Sequence, residues 1–279
     1  MPSVIARGGF DDLRSLHVRF LQEASKRGLV RVLLRTDKAL EVETGRPPRF
    51  SFDERKYFLE AVRFVHEVVA VTPGLDPDSL PAGSIPAQSI WAVTDAFGPA
   101  SEHPSPAKRS WCAAHGLELA ELNAAELSGF PYPEPALSPP PRGGLRAVAT
   151  GSFDWLHTGH VRFFEEAAAY GELTVVVGHD ANIRLLKGDG HPRFPQDERR
   201  YIVGAMRSVE RALISTGSGW LDAEPELRML APRRYIVNED GDKPEKRRYC
   251  QDHGIEYVVL KRAPREGLPR RASTDLRGF

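Results

Sequence analysis

The sequence predicts an α/β protein made of two tandem Rossmann-like domains, each a doubly wound parallel sheet. Three observations predict it. Apolar, strand-like runs alternate with segments of helical periodicity, the pattern of a parallel sheet covered on both faces. The pattern occurs twice: Gly8, Phe10, Asp11, Leu13, His17, Val18, Arg19 and Phe20 match Gly151, Phe153, Asp154, Leu156, His160, Val161, Arg162 and Phe163 in order. Between the copies runs SGFPYPEPALSPPPRGG, Ser128 to Gly144, too rich in proline for a helix or an interior strand. The expected organisation is a first domain over residues 1–128, an extended linker over 129–143 and a second domain over 144–279.

The second copy reads as follows. Leu145–Ala149 is a short apolar run and predicts the first strand. A turn with two glycines and two histidines follows, and Val161, Phe164 and Ala168 then recur at helical spacing, which predicts a helix over Gly159–Tyr170. Leu173–Gly178 is a β-branched run and predicts the next strand. Short helical segments are expected over Ile183–Lys187 and Gln196–Arg207, then a strand over Arg211–Ile214. A helix over Asp222–Leu230, a strand over Arg234–Val237, a helix over Lys243–His253 and a strand over Tyr257–Leu260 complete the alternation. Serine and threonine are good N-caps, so a last short helix should open at Ser273. Loops that bind ligand should gather at the carboxyl ends of the strands.

The repeat extends further. Pro48-Arg49-Phe50 matches Pro192-Arg193-Phe194, and Asp53-Glu54-Arg55 with Tyr57 matches Asp197-Glu198-Arg199 with Tyr201. Cys112, His115, Gly116 and Glu118 match Cys250, His253, Gly254 and Glu256. Each cysteine therefore reads as a small buried residue of its own domain. A Cys112–Cys250 disulfide is the competing reading. Two cysteines in a chain of 279 residues point to a reducing, cytoplasmic setting. Net charge is zero, so no global field favours nucleic acid, and no apolar run suggests a membrane span. Self-association is left open.

The richest stretch is Gly151-Ser152-Phe153-Asp154-Trp155-Leu156-His157-Thr158-Gly159-His160. It lies where a strand hands over to a helix, where backbone N–H groups and the helix dipole favour an anion. Glycine lets the backbone approach a phosphate closely. Two imidazoles can donate to phosphate oxygens as charge moves onto a leaving group. A metal site on the two histidines would need further ligands, and no cysteine cluster or HExxH pattern supplies them.

In these residues the chain resembles the HxGH nucleotidyltransferase superfamily, and its longer G-x-F-D-x-x-H-x-G-H form resembles the cytidylyltransferase branch. The tandem arrangement is similar to ethanolamine-phosphate cytidylyltransferases. The resemblance implies that the backbone of Thr150, Gly151, Ser152 and Phe153 frames the nucleotide phosphates, with Gly159 allowing close approach. It implies that His157 and His160 stabilise the departing pyrophosphate. Asn182 to Gly188 is similar to the segment that carries the family's phosphate-binding lysine, here Lys187. Ser273-Thr274-Asp275-Leu276-Arg277 resembles the second signature, with Ser273 and Thr274 at a helix start and Arg277 about one turn in; Ala272 replaces its first hydroxyl residue. This S-T-x-L-R form is more typical of adenylyltransferase relatives. Arg199 has two readings: an arginine on the nucleotide phosphates, as in the family, or a structural ion pair, since Arg55 repeats it. Asp154 is expected to fix the turn. Asn238 to Lys243 should face the site, to bind substrate or to cap a helix, and Trp220 would wall an acceptor pocket or simply pack.

The expected activity is transfer of a CMP moiety, with AMP as the other donor group, from CTP or ATP to a small phosphorylated acceptor. Mg²⁺ is expected on the triphosphate. The first copy has Arg14 for His157, Leu16 for Gly159 and Thr44 for Lys187, so it should keep the fold without the chemistry. The alternatives are a non-catalytic nucleotide-binding regulator and a class I aminoacyl-tRNA synthetase; zero net charge speaks against the latter.

Overall fold

The structure is a computed structural model that describes residues 1–81, 85–99, 102–131, 145–273 and 276. The chain divides into two compact units, Met1–Gly129 and Phe130–Phe279. Most of the expected linker, and Thr274 and Arg277 of the C-terminal motif, lie outside the described residues.

The first unit runs β1 (Ser3–Gly8), α1 (Ser15–Ser25), β2 (Leu29–Arg35), α2 (Asp37–Thr44), α3 (Phe52–Ala61), β3 (Val65–Val71), β4 (Ile90–Val93), α4 (Pro106–Ala114) and β5 (Glu118–Glu121). Its five strands are parallel in the order β3-β2-β1-β4-β5.

The second unit runs β6 (Arg146–Gly151), α5 (Thr158–Ala168), β7 (Glu172–Val177), α6 (Asp180–Lys187), α7 (Gln196–Gly204), β8 (Arg211–Ile214), α8 (Glu224–Leu230), β9 (Arg234–Asn238), α9 (Pro244–Asp252) and β10 (Glu256–Leu260). Its strands are also parallel, in the order β10-β9-β6-β7-β8. Both units therefore have the doubly wound α/β arrangement.

The alternation of side chains along these strands builds two layers. Val148, Val176, Leu213, Tyr235 and Val237 form one buried cluster with Ala223, Leu227, Leu230, Tyr249 and Cys250 from the α8–α9 side. Residues of the other parity, Ala147, Ala149, Val175 and Val177, are also buried, as are Val161, Phe164 and Ala167 of α5 and Val203 of α7. Right-handed crossovers place α5 and α7 on that second face. The histidine turn and helix α9 thus serve opposite faces of one sheet.

Several boundaries differ from the sequence reading for local reasons. β6 runs on to Gly151, which pairs with Val177, so the strand carries the chain into the glycine turn. α5 begins at Thr158, because His157 is its N-cap. α8 begins at Glu224 rather than Asp222; Gly219–Leu221 form a tight 3-10 turn and Asp222 accepts a bond from Ser215 Oγ at 2.6 Å. Pro244 ends the preceding loop and opens α9, where its missing N–H costs nothing. Cys112 and Cys250 are both free and buried. No helix among the described residues is long and apolar enough to cross a membrane.

Candidate active site

The strand order of the second unit reverses between β6 and β9, and open α/β sheets bind ligands at the carboxyl ends of the strands on either side of that point. A cavity of about 390 Å³ opens there. Thr150, Gly151, Ser152 and Phe153 line it from β6, and Val237 and Asn238 from β9. His157, Gly159, His160 and Lys187 also line it, so these expected residues stand together at one cavity.

The turn depends on one unusual backbone position and on one glycine. Phe153 has φ 48°, and its ring lies over Gly151: a Cβ there would stand 2.9 Å from Phe153 Cζ. The ring meets His160 edge-on, with centroids 5.4 Å apart. Asp154 Oδ1 accepts the backbone N–H groups of Arg193, at 2.6 Å, and Phe194, at 3.1 Å. Its carboxylate ties the turn to the start of α7, as expected.

The two imidazoles are 4.0 Å apart between ring centroids. His157 Nδ1 accepts from Gly159 N at 3.1 Å, and His160 Nδ1 accepts from His157 N at 3.3 Å. Both Nδ1 atoms act as acceptors, so the proton of each neutral ring sits on Nε2. Burial, then Arg262 and Arg271, push His157 down to about 3. Burial, then His157, Arg262 and Lys187, hold His160 well below the ordinary range. His157 Nε2 is buried without a hydrogen-bond partner among the described residues. An orphaned donor of this kind is costly unless an acceptor arrives.

These shifts make a stability prediction. In the unfolded chain both histidines titrate near 6.5, whereas the folded protein resists protonation until far lower pH. Below about 6.5 the unfolded state binds more protons, so the stabilisation present above that pH drains as pH falls toward the folded values. Thermal melts of the unliganded protein should show the midpoint falling between pH 7 and pH 5. A His157→Ser/His160→Asn variant should have a shallower slope; the same slope as wild type would refute the assignment.

Gly159 is needed for packing inside the motif. A Cβ would lie 2.9 Å from His157 Cε1 and 3.1 Å from Nδ1. Gly159→Leu, which reproduces Leu16 of the first unit, should displace the His157 ring and lower the melting temperature; an unchanged melting temperature would show that the ring tolerates the crowding.

The other expected residues take distinct places. Lys187 Nζ donates to Ser152 Oγ at 2.9 Å, so its cation sits over the glycine turn. Ser273 Oγ donates to Trp155 O at 3.2 Å, which brings the C-terminal segment against the same turn, although Ser273 is not in the cavity lining. Arg199 is turned away from the cavity. Its guanidinium donates to Phe194 O, Ser152 O and Gly178 O and pairs with Asp180 at 2.7 Å. Of its two sequence readings, this geometry matches the structural one. Trp220, Asn238, Asp240 and Lys243 all line the cavity, and Lys243 Nζ lies 4.6 Å from the Trp220 ring centroid.

Sequence reasoning missed three charged lining residues, Asp222, Lys246 and Arg262. Arg262 pairs with Asp240 at 2.8 Å and donates to Arg271 O at 3.1 Å. It links the β9 loop to the C-terminal segment beside the histidines. No sequence pattern marks it, but Lys246 repeats as Lys108 in the first copy, a usable signal.

The first unit has the same turn with different contents. Phe10 has φ 47°, and Asp11 accepts from Arg49 N and Phe50 N. Arg14 stands at the histidine position and pairs with Asp12 at 2.5 Å. His17 packs against Phe97, with centroids 4.4 Å apart, and burial followed by Arg14 lowers it to about 4. The Glu102 carboxylate faces the glycine turn: a Cβ on Gly8 would lie 3.3 Å from Glu102 Oε2. An anion there would meet a buried carboxylate.

Comparison with known proteins finds sequence relatives of the second unit. The family described as cytidylyltransferase-like matches residues 148–264. An FAD synthase of Methanopyrus kandleri is 34% identical over 132 residues, 45% of this chain and 85% of that protein. The bifunctional protein HldE of Aliarcobacter butzleri is 40% identical over 120 residues, 42% of this chain and 24% of that protein. Among solved structures, a lipopolysaccharide core biosynthesis protein from Thermoplasma volcanium is 25% identical with a TM-score of 0.38, covering 44% of this chain and 100% of that one.

Proposed function

Since this chain belongs to the cytidylyltransferase-like family of nucleotidyltransferases, we propose that its second unit transfers a nucleotidyl group from a nucleoside triphosphate to a small phosphomonoester, releasing pyrophosphate. The observation that carries the reading is the buried, unpartnered His157 Nε2 in the cavity lining, beside a second neutral imidazole and Lys187. Protonated Nε2 atoms and an ammonium suit an anion whose charge grows as it leaves. An acceptor phosphate oxygen attacks the α-phosphorus. The bond to the bridging oxygen breaks, and its electron pair departs with pyrophosphate. The protein positions the partners and stabilises charge, without a covalent intermediate.

Both Nε2–H groups donate to the departing diphosphate, and Lys187 neutralises it. Thr150 to Phe153 frame the phosphates, and the S-T-x-L-R resemblance assigns Ser273, Thr274 and Arg277 to phosphate contacts as well. Arg199 holds the Ser152 carbonyl and so the turn. Among the described residues no group of three His, Cys, Asp or Glu side chains is placed to hold a metal. Mg²⁺ would therefore be carried mostly by phosphate oxygens and water, supplying charge neutralisation.

CTP is the donor favoured by the G-x-F-D-x-x-H-x-G-H form. ATP is the alternative, favoured by the S-T-x-L-R segment and by a relative named FAD synthase, whose product contains an AMP moiety. The test is pyrophosphate release with each triphosphate against a panel of phosphomonoesters, beside the melting-point rise each triphosphate gives. Release with one triphosphate supports the reading. Tight binding with no release from any acceptor favours a non-catalytic regulator.

The repeat and its break near residues 129–143 support descent by tandem duplication, with the first copy degenerate. Arg14→Ala should then leave pyrophosphate release unchanged; a loss comparable to His157→Ala would show that the first unit takes part.

A further inference from the structure

Helix α9 brings an unassigned cation to the cavity. Lys246 lines it yet is only 8% exposed. Its Nζ donates to Thr150 Oγ1 and Gly241 O, both at 3.3 Å, and lies 5.8 Å from the Tyr235 ring centroid. No carboxylate among the described residues forms an ion pair with it. The charged groups around it are Asp222, Asp240, Asp242 and Lys243, and its burial outweighs them, holding its pKa below the usual lysine value. An ammonium has three protons to donate, and burying one without a direct ion pair is costly.

The first unit shows the same lysine with its charge answered. Lys108 of α4 lies 5.8 Å from the Trp91 ring centroid and pairs with Asp78 at 3.1 Å. In the second unit Asp222, the carboxylate that acts most strongly on Lys246, forms no ion pair with it and accepts from Ser215 Oγ at 2.6 Å. The unit that keeps the two histidines is also the one whose lysine lacks a paired carboxylate.

Position adds direction. Thr150 Oγ1 lies 2.7 Å from Tyr235 OH, so its side chain emerges on the α8–α9 face. The histidines stand at α5, on the other face. An in-line displacement needs the entering and leaving oxygens on opposite sides of the phosphorus. We propose that Lys246 binds the attacking phosphate of the acceptor from the face opposite the histidines, so that the acceptor is an anionic phosphomonoester rather than a neutral alcohol or an amine. This rests on the nucleotidyl-transfer reading. The acceptor oxygen forms the new bond to the α-phosphorus as pyrophosphate takes the old pair; a dianionic phosphate has no proton to remove.

The test uses the full chain, held saturated with the α,β-methylene analogue of whichever triphosphate protects it, and titrates methyl phosphate calorimetrically. Lys246→Met should bind methyl phosphate roughly tenfold or more weakly than wild type, with the melting shift from the analogue unchanged, and Lys246→Arg should recover part of the loss. Lys246→Gln repeats the measurement should the methionine variant misfold. Unaltered methyl phosphate affinity, no methyl phosphate binding by wild type, or a matching loss of the analogue's shift overturns the role of Lys246 while leaving nucleotidyl transfer standing. If no triphosphate binds wild type, nucleotidyl transfer and the proposal fall together.

Discussion

Replacing His157 by alanine should lower turnover by about two to three powers of ten. In the proposed reaction the ring donates from Nε2, and in the structure it caps α5 by accepting Gly159 N–H at Nδ1. Alanine removes both, so stability should also fall by about 1 kcal/mol, the usual worth of an N-cap. Serine separates the roles. It is a good N-cap but cannot reach an oxygen that Nε2 reaches, so His157→Ser should keep the melting point and still lose turnover. Burial holds the ring neutral to about 3, so the donor needs no proton uptake from solvent in the unliganded enzyme. The loss should therefore be similar across neutral pH in single-turnover measurements with saturating triphosphate. Equal turnover for wild type and serine variant would remove His157 from the transition state.

The fold was legible because its cause is local and repeated. Val148 and Val176 belong to near-continuous apolar runs, as strands buried on both faces must, and helical spacing is plain in Val161, Phe164 and Ala168, although the alanine that the structure buries is Ala167. The histidine turn was legible because glycine at Gly151 and Gly159 answers a steric demand visible in sequence. Other site features depend on register between distant elements. Lys246 and Arg262 are single cations in polar segments, and only the packing of α9 and the return of the C-terminal segment bring them to the cavity. Arg199 was ambiguous for a related reason: an arginine beside a glycine turn suits a phosphate as well as a carbonyl. The coordinates show three carbonyls and one carboxylate around it.

Arg199→Met should be the most destabilising single change in the second unit, by about 3–5 kcal/mol, because it strips the donors from a buried acceptor set. Phe194 O, Ser152 O, Gly178 O and Asp180 would each lose a charged donor. Ser152 belongs to the turn proposed to frame the phosphates, so on that proposal triphosphate affinity should fall with stability. Lysine should not rescue the variant, since one ammonium cannot span four separated acceptors as a guanidinium fork does. The first unit repeats the arrangement: Arg55 donates to Phe50 O, Gly9 O and Arg35 O and pairs with Asp37 at 2.6 Å. Arg55→Met should therefore destabilise the protein by a similar amount without changing triphosphate affinity. Chemical denaturation with a triphosphate titration measures both effects. An Arg199→Met protein as stable as wild type, yet unable to turn over, would return the guanidinium to the substrate. The same stability loss at both positions, with nucleotide binding impaired only by Arg199→Met, would establish it as the frame on which the phosphate turn is built.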